Sequence, residues 1–226
     1  QLIAYGQDSI REVKKVVWPT RKEAMQMTGY VFAFVVVMAL FLWLTDKTLE
    51  WALYDLMKAG KFAEALPKMR ATVSTQLRQP ELGRDAVMAS ILRILSTCFL
   101  RPGSQVYASE NGSYGLATLR PRHVKVKGDL IEFDFPGKSG VQQTRQLKDR
   151  RVSKIVKSLL KQPSREVFKY RNGNGEFINV TRQHINDYIR EVMGESFSAK
   201  DFRTWAGTLI CACALARAGA DAVDKK

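Results

Sequence analysis

The sequence predicts an α+β fold: a mainly helical domain with a small antiparallel β-hairpin or sheet, preceded by an amphipathic helix and one transmembrane helix. Three observations support this prediction. Residues 24–45 carry no charge, residues 59–226 mix helical apolar faces with short alternating runs, and the charge is unevenly divided. Residues 1–58 contain 7 Lys and Arg against 6 Asp and Glu, whereas residues 59–226 contain 29 against 16. We therefore expect two domains, at residues 1–58 and 59–226.

A run of 22 uncharged residues, Ala24–Thr45, predicts the transmembrane helix. A helix needs about 20 apolar residues to cross a bilayer, and the centre of this run, GYVFAFVVVMALFLWL, is apolar on every side. No small-residue cleavage site follows it, which argues against a signal peptide. Positive charge is concentrated before the run, so the positive-inside rule places the N-terminus in the cytoplasm and residue 46 onward outside.

The segment before this run predicts the amphipathic helix. In DSIREVKKVV, residues 8–17, Ile10, Val13 and Val17 share one helical face and the charged residues occupy the other. Such a helix can lie on a membrane surface. Pro19 disfavours helix at the residue before it and is well placed to begin the next helix.

Helical periodicity recurs through residues 59–226. It predicts helices at residues 64–79 and 84–100, the second ending at Pro102–Gly103 so that Arg101 lies at a helix C-terminus. Three further helices are predicted from the segments RRVSKIVKSLL, TRQHINDYIREVMG and SAKDFRTWAGTLICACALARAG. The last is expected to be N-capped by Ser198.

Alternating runs predict the β-structure. HVKVKGDLIEFDF reads as two strands joined at Gly-Asp, a hairpin signal. PGKSG then forms a tight turn and TRQL a returning strand, which places Lys138 at the tip of a hairpin. FKYRNGNGEFINV predicts a second strand–turn–strand unit.

The net charge of residues 59–226 favours a polyanionic partner, nucleic acid first, with a merely solvated basic surface as the alternative. Cys98, Cys211 and Cys213 are few, odd in number and set in apolar helical segments, so we expect buried small side chains in a reducing compartment. The C-x-C spacing lacks further ligands, and no metal site is predicted. His123 and His184 each stand alone in the sequence.

The run REVKKVVWPTRKEA, followed by a single span, resembles the SecE subunit of the bacterial Sec protein-conducting channel over residues 3–57. The resemblance implies a non-catalytic inner-membrane segment that contacts membrane lipid and a SecY-type channel subunit. An unrelated single-span anchor is the alternative. The residues expected at the membrane or translocon are Lys15, Trp18, Pro19, Thr20 and Arg21.

The segments LRPGSQVYASENGSYGLATLRPRHVKVKGDLIEFDFPGKSG and FSAKDFRTWAGTLICACALA resemble the catalytic domain of small type IB DNA topoisomerases, the bacterial and poxvirus-like group, over about residues 62–218. The resemblance implies duplex DNA as partner, no metal, ATP or other cofactor, and a cytoplasmic, nucleoid-associated location. In that family a tyrosine attacks a backbone phosphate, forms a 3′-phosphotyrosyl link and later releases it when the strand is rejoined.

The resemblance also implies roles for individual residues. Arg101 and Arg203 match the arginines that stabilise charge on the non-bridging oxygens, and Lys138 matches the hairpin lysine that protonates the leaving 5′-oxygen. The weaker DNA-binding candidates are Tyr114, Arg120 and Lys200. Tyr107 and Trp205 are expected to pack and not to contact DNA. His184 is expected to lie at the surface or to contact a phosphate.

The match departs from the family at the nucleophile. The family's catalytic His and Tyr follow the second arginine, but no His or Tyr follows Arg203 in these 226 residues. Without a nucleophile, the remaining residues can only position the DNA and supply positive charge to its phosphate. We therefore expect DNA binding without cleavage, although the family that these motifs resemble is enzymatic.

The two resemblances conflict, because the predicted topology places residues 59–226 outside the cytoplasm. One interpretation is a topoisomerase fragment fused to a SecE-like segment; the other is a SecE-type translocase subunit carrying an unrelated passenger. The abrupt change at residues 57–66, with no polar linker, favours an engineered or misassembled chimera. We also expect marginal stability, with an apolar surface exposed on the last helix at Leu209, Ile210, Cys213 and Leu215.

Overall fold

The structure, a computed structural model, describes residues 19–80 and 82–223. The chain divides into two compact units, residues 1–56 and 57–226. The predicted amphipathic helix at residues 8–17 lies outside the described residues, as do Lys15 and Trp18.

The described part of the first unit is helical. Helix α1 spans Arg21–Gln76, and its first part, Arg21–Trp51, is a 31-residue segment that contains an 18-residue stretch with a mean hydropathy of 2.3 and no buried residue. The helix begins with a reciprocal cap: the Thr20 N–H donates to Glu23 Oε2 (2.9 Å) and the Glu23 N–H to Thr20 Oγ1 (3.4 Å). The segment is long and apolar enough to span a membrane, as the sequence predicts.

The prediction that a separate helix begins at residue 64 was wrong, because α1 continues to Gln76 without a break. Gly60 and Pro67 are the poorest helix formers in this stretch, and Pro67 removes a single backbone hydrogen bond. Within the second unit, α1 presents one buried face at three- and four-residue spacing, formed by Phe62, Leu66, Met69 and Val73. The junction segment predicted at residues 57–66 therefore contributes to the core of residues 57–226.

Helix α2, Arg84–Cys98, is the most buried helix of the second unit, with ten buried residues. It ends at Cys98 because Phe99 adopts a left-handed conformation (φ 54°) and its N–H donates to the Leu95 carbonyl at 3.1 Å. The prediction that Arg101 lies at the helix C-terminus was wrong. Arg101 follows in a non-helical segment that leads to the short helix α3, Gln105–Glu110.

A three-stranded antiparallel sheet packs beside these helices. Its strands are β1 Val124–Lys127, β2 Leu130–Pro136 and β3 Gln142–Lys148, in the order β1-β2-β3. The register pairs Val124 with Phe133 and Phe135 with Gln143. Ile131, Phe133 and Phe135 alternate inward, and Gly128 makes the β1–β2 turn with a φ of +60°. This confirms the hairpin predicted at Gly-Asp.

The remaining elements also follow the predicted order. They are helix α4 Arg150–Leu160, strands β4 Lys169–Arg171 and β5 Phe177–Asn179, helix α5 Arg182–Met193 and helix α6 Ala199–Val223. Asp149 caps α4 by accepting from two backbone N–H groups, and strands β4 and β5 pair antiparallel. The predicted α+β fold is confirmed.

The last helix differs from the prediction at its cysteines. Cys98 is buried, as expected, but Cys211 and Cys213 are exposed. The reason is that no described residue covers α6 after Ala206, so the side chains of residues 207–218 are exposed to solvent. The predicted exposure of Leu209, Ile210 and Leu215 is confirmed. Cys213, for which the sequence supported two opposite expectations, follows these three residues and not the buried Cys98.

Candidate nucleic-acid interface

A cavity of about 870 Å³ in the second unit gathers residues from six segments: the chain after α2, helix α3, the chain after α3, the β2–β3 turn, and the first turns of α5 and α6. We call it the basic cavity. No acidic residue is found among the described residues that line it. Its cations are Arg101, Lys138, Arg182, Lys200 and Arg203.

Backbone contacts fix the position of Arg101. Its carbonyl accepts the N–H of Leu116 at 2.9 Å, and the next carbonyl accepts from Ala117 at 2.8 Å. The segment passes so close to Gly115 that a Cβ there would lie 2.5 Å from the Gly103 nitrogen and 2.7 Å from the Arg101 carbonyl oxygen. Only glycine fits this crossing, and the exposed Arg101 side chain is thereby aimed from a rigid backbone.

Lys138 lies in the turn between β2 and β3, as the sequence predicts. The turn is closed by the Gly137 N–H, which donates to the Val141 carbonyl at 2.9 Å. Ser139 and Gly140 both have positive φ, 61° and 73°, so a non-glycine residue is held in the left-handed region beside the lysine. Lys138 is exposed and has no carboxylate within ion-pair distance in the described part of the chain.

The start of α6 presents Lys200 and Arg203. The Ser198 N–H and hydroxyl both donate to Asp201 Oδ2, at 2.8 and 2.9 Å, and the Ala199 N–H donates to Asn186 Oδ1 at 3.1 Å. Ser198 thus occupies the predicted cap position. Burial, and then the Arg101 guanidinium, lower the pKa of Arg203 from its ordinary value. Two arginines in one electrostatic field, with no carboxylate among the described lining residues, can attract an anion.

The structure separates the weaker candidates. Tyr114 lines the cavity but is mostly buried, with its ring against His123 at 4.4 Å and the Arg120 guanidinium 5.2 Å from its centre. Arg120 is not among the lining residues. Tyr107, expected to pack, is 58% exposed and lines the cavity, because the short helix α3 buries only Ala108. Trp205 packs against the core, as expected.

Sequence reasoning missed Arg182 and Asn186, which line the cavity from the first turns of α5. The available signal was their spacing of four, which places both on one helical face directly after the Thr181 cap. His184, expected at the surface or on a phosphate, is half-buried and forms part of that cap. Its Nδ1 accepts the Thr181 N–H at 3.4 Å.

His123 packs behind Tyr114 and is held by contacts with two neighbouring arginines. The Arg120 N–H donates to its Nδ1 at 3.2 Å, and Arg122 Nε lies 3.2 Å from its Nε2. Burial lowers the pKa of His123, and the charges of Arg122 and Arg120 lower it further. The imidazole is therefore held neutral beneath the wall of the cavity.

With this geometry established, comparison with known proteins identifies the second unit. A family model for the catalytic core of eukaryotic DNA topoisomerase I matches residues 50–226. The chain belongs to this topoisomerase family. DNA topoisomerase 1B of Acanthamoeba polyphaga mimivirus is 31% identical over 152 residues, which are 66% of this chain and 45% of that protein. DNA topoisomerase 1 of Mycosarcoma maydis is 25% identical over 166 residues, covering 66% of this chain and 16% of that protein.

The first part of this topoisomerase-family chain matches a different family. A model for the SecE/Sec61-gamma subunits of the protein translocation complex matches residues 3–57. The SecE subunit of Vibrio alginolyticus is 54% identical over 44 residues, covering 20% of this chain and 35% of that protein. The predicted composite is therefore confirmed. The chain spans less than half the length of each of these relatives.

Within the SecE-like part, the structure describes three of the five predicted membrane or translocon residues. Pro19 precedes helix α1, Thr20 supplies its cap, and Arg21 is its first residue. All three are exposed. The motif residues Pro19, Thr20 and Arg21 therefore mark the beginning of the apolar helix, while Trp18 lies outside the described residues.

Proposed function

We propose that residues 57–226 bind duplex DNA through its phosphate backbone, with Arg101, Lys138 and Arg203 surrounding one phosphate. The observation that carries this proposal is their convergence. Three cations from three distant segments line one cavity that has no acidic residue among its described lining. Membership in the topoisomerase family supports duplex DNA as the ligand.

The side chains suit different parts of a phosphoryl transfer. Arg101 and Arg203 each offer a planar pair of donors to the non-bridging oxygens, where charge accumulates in the transition state. Lys138 has a single protonated amine on an exposed turn, which suits donation of a proton to a departing 5′-oxygen. Lys200 and Arg182 line the same cavity and are placed to contact neighbouring phosphates.

The nucleophile is the part that these residues do not supply. No tyrosine follows Arg203 in the 226 residues, and the tyrosines that line the cavity are Tyr107 and Tyr114. We propose that these 226 residues by themselves hold DNA and make no 3′-phosphotyrosyl bond. A DNA adduct that survives denaturation, mapped by mass spectrometry, would contradict this and would identify the tyrosine involved.

A second function is favoured by the first unit. The exposed 31-residue apolar helix and the SecE match together support insertion into the inner membrane beside a SecY-type channel subunit. In this proposal the SecE-like part is non-catalytic and the topoisomerase part is a passenger. Because DNA is cytoplasmic and the predicted topology places the passenger outside, the two functions would not operate together, and a chimeric origin follows.

The DNA proposal is tested with the full chain in nanodiscs of zwitterionic lipid and a fluorescent DNA duplex. The triple variant Arg101→Ala/Lys138→Ala/Arg203→Ala should bind at least about a hundredfold more weakly at low salt. The matched control replaces three exposed lysines that do not line the cavity, in the variant Lys61→Ala/Lys68→Ala/Lys125→Ala, and should change affinity far less. Equal losses in both variants would show that net charge alone attracts the duplex.

The membrane proposal has an independent test. Expressed in bacteria, the full chain should resist alkaline extraction from membranes and should co-purify with the SecY subunit in mild detergent. Replacement of Val35 and Val36 by Asp would interrupt the apolar segment and should release the chain from the membrane. A chain that is extracted as readily as this variant would refute membrane insertion.

A further inference from the structure

Three asparagines of the second unit directly precede a glycine: Asn111, Asn172 and Asn174. In such a pair the glycine backbone nitrogen can attack the side-chain amide carbon of the asparagine. The new C–N bond closes a five-membered succinimide, and the amide nitrogen leaves as ammonia with the proton of the glycine N–H. Water then opens the ring to aspartate or isoaspartate, so a neutral amide becomes a carboxylate. Glycine favours the attack because it has no Cβ to obstruct the approach.

The structure restrains the reaction at Asn172 through its side chain. In the turn between β4 and β5, Asn172 Oδ1 accepts the backbone N–H groups of Asn174 at 3.0 Å and of Glu176 at 2.9 Å. Its Nδ2 donates to Glu176 Oε2 at 3.2 Å. Ring closure moves the carbonyl group and expels Nδ2, so the reaction must break these hydrogen bonds. Asn172 is therefore protected.

At Asn174 the attacking nitrogen is restrained instead. The Gly175 N–H donates to the Asn172 carbonyl at 3.0 Å, which closes the same turn. Attack on the Asn174 side chain would turn this nitrogen away from its acceptor and open the turn. A hydrogen bond that must be broken before reaction lowers the fraction of chains that can react.

Asn111, which directly follows α3, has neither restraint. It is exposed, and its side-chain amide has no hydrogen-bond partner within residues 82–223. The N–H groups of Asn111 and Ser113 both donate to the Tyr107 carbonyl, at 3.2 and 3.1 Å, whereas the Gly112 N–H between them meets no acceptor in that range. Gly112 also lies in open space, because a Cβ there would have no atom within 4 Å. Both reacting groups are therefore free.

The position of Asn111 gives its conversion a consequence. Asn111 lines the basic cavity, whose described lining contains no acidic residue. An aspartate or isoaspartate there would be ionised near neutral pH and would lie in the same cavity as Arg101 and Lys138. It would attract those cations and repel a phosphate.

We propose that Asn111 is a site of spontaneous deamidation, and that its conversion to a carboxylate weakens anion binding in the basic cavity. The structure orders the three asparagine–glycine pairs, with Asn111 reacting first. The effect on duplex binding rests on the proposed DNA function, whereas the site of modification does not.

The site is tested by incubating the full chain in nanodiscs at mildly alkaline pH and following each asparagine in tryptic peptides by mass spectrometry. The peptide that contains Asn111 has no other asparagine, so its conversion is read without ambiguity. Asn111 should react at least about fivefold faster than Asn172 and Asn174, the factor that one additional hydrogen bond supplies. In guanidinium chloride, where the chain is unfolded, the three rates should converge.

The consequence is tested with Asn111→Asp. This variant should bind duplex roughly eightfold more weakly than the unsubstituted chain near 0.1 M salt, the loss expected when one phosphate contact is offset. The matched control Asn174→Asp adds the same charge at an exposed residue outside the cavity and should have a smaller effect. During incubation the unsubstituted chain should lose affinity as Asn111 converts. Asn111→Gln, which would have to close a larger ring, should keep the affinity of its own fresh sample.

Two kinds of result would overturn the proposal. Conversion of Asn172 or Asn174 in the folded chain as fast as that of Asn111 would show that the structure does not select the site. An equal loss in Asn111→Asp and Asn174→Asp, or no loss in either, would remove the consequence. If Asn111→Asp melts at a lower temperature, deamidated chains separated from an aged sample by ion exchange replace it. A chain that binds no duplex even when fresh refutes the DNA function, and the peptide rates still decide the site.

Discussion

Phe62→Ala is the substitution that most directly tests how α1 supports the basic cavity. Phe62 is 2% exposed. The centroid of its ring lies 5.0 Å from that of Phe202 and 5.5 Å from that of Phe197, and both pairs are nearly edge to face. Phe202 lies between Lys200 and Arg203 on the first turns of α6. The ring therefore joins α1 to the element that carries two of the cavity's cations.

The expected cost follows from the buried area. A phenylalanine removes about 150–250 Å² from water, and about 25 cal/mol per Å² gives roughly 4–6 kcal/mol for full burial. Because alanine keeps part of this contribution, a loss of about 3–5 kcal/mol in the free energy of unfolding is expected. That is a large fraction of the roughly 5–15 kcal/mol typical of a folded domain.

The assay is urea unfolding of the full chain in nanodiscs, in a background carrying Trp18→Phe/Trp43→Phe/Trp51→Phe, so that the fluorescence reports on Trp205. The ring centroids of Trp205 and Phe62 are 5.8 Å apart. Phe62→Leu keeps most of the volume and should cost clearly less than the alanine variant. Met57→Ala, at an exposed residue of the same helix, should change stability by less than about 0.5 kcal/mol. If Phe62→Ala has no larger effect than Met57→Ala, residues 57–76 do not pack into this core.

Three further predictions concern single residues. Burial raises the pKa of Cys98 to about 11, so iodoacetamide near neutral pH should label only Cys211 and Cys213 in the native chain. Cys98 should be labelled only after denaturation. Labelling of all three cysteines in the native chain would show that Cys98 is not buried in the core. Because the pKa of His123 is lowered from 6.5, the unfolded chain binds the proton more readily, and the free energy of unfolding should fall by up to about 1.4 kcal/mol per pH unit as pH drops below that value. His123→Asn should remove this dependence in unfolding curves, and an unchanged slope would be the opposing result. Gly115→Ala should weaken duplex binding by at least about tenfold, because its Cβ would displace the backbone of Arg101, whereas Gly207→Ala, in open space, should not.

The sequence was sufficient where a pattern is local. Apolar spacing predicted the inward residues of α5, Ile185, Tyr188, Ile189 and Val192, and all four are buried. The Gly128 turn and the placement of Lys138 between two strands also followed from short motifs. The apolar run was recognisable as a span because its length and lack of charge do not depend on any neighbour.

Other features depend on distant contacts and could not be predicted. The true end of α2 is set by a left-handed Phe99, a conformation that no sequence rule assigns to phenylalanine. The exposure of Cys211 depends on what covers α6, and an apolar pattern along a helix does not show whether another element covers it. Arg182 joined the cavity only when α5 and α6 were brought together through the Asn186–Ala199 hydrogen bond.

The central claim is that cations of the basic cavity bind the phosphate backbone, and the salt dependence of duplex binding tests it most directly. Each phosphate contact contributes about 0.9 to the slope of log affinity against log salt concentration. The slope of Arg101→Ala/Lys138→Ala/Arg203→Ala should therefore be shallower than that of the full chain by roughly 2–3. A salt slope equal to that of the unsubstituted chain would mean that these three side chains make no phosphate contact.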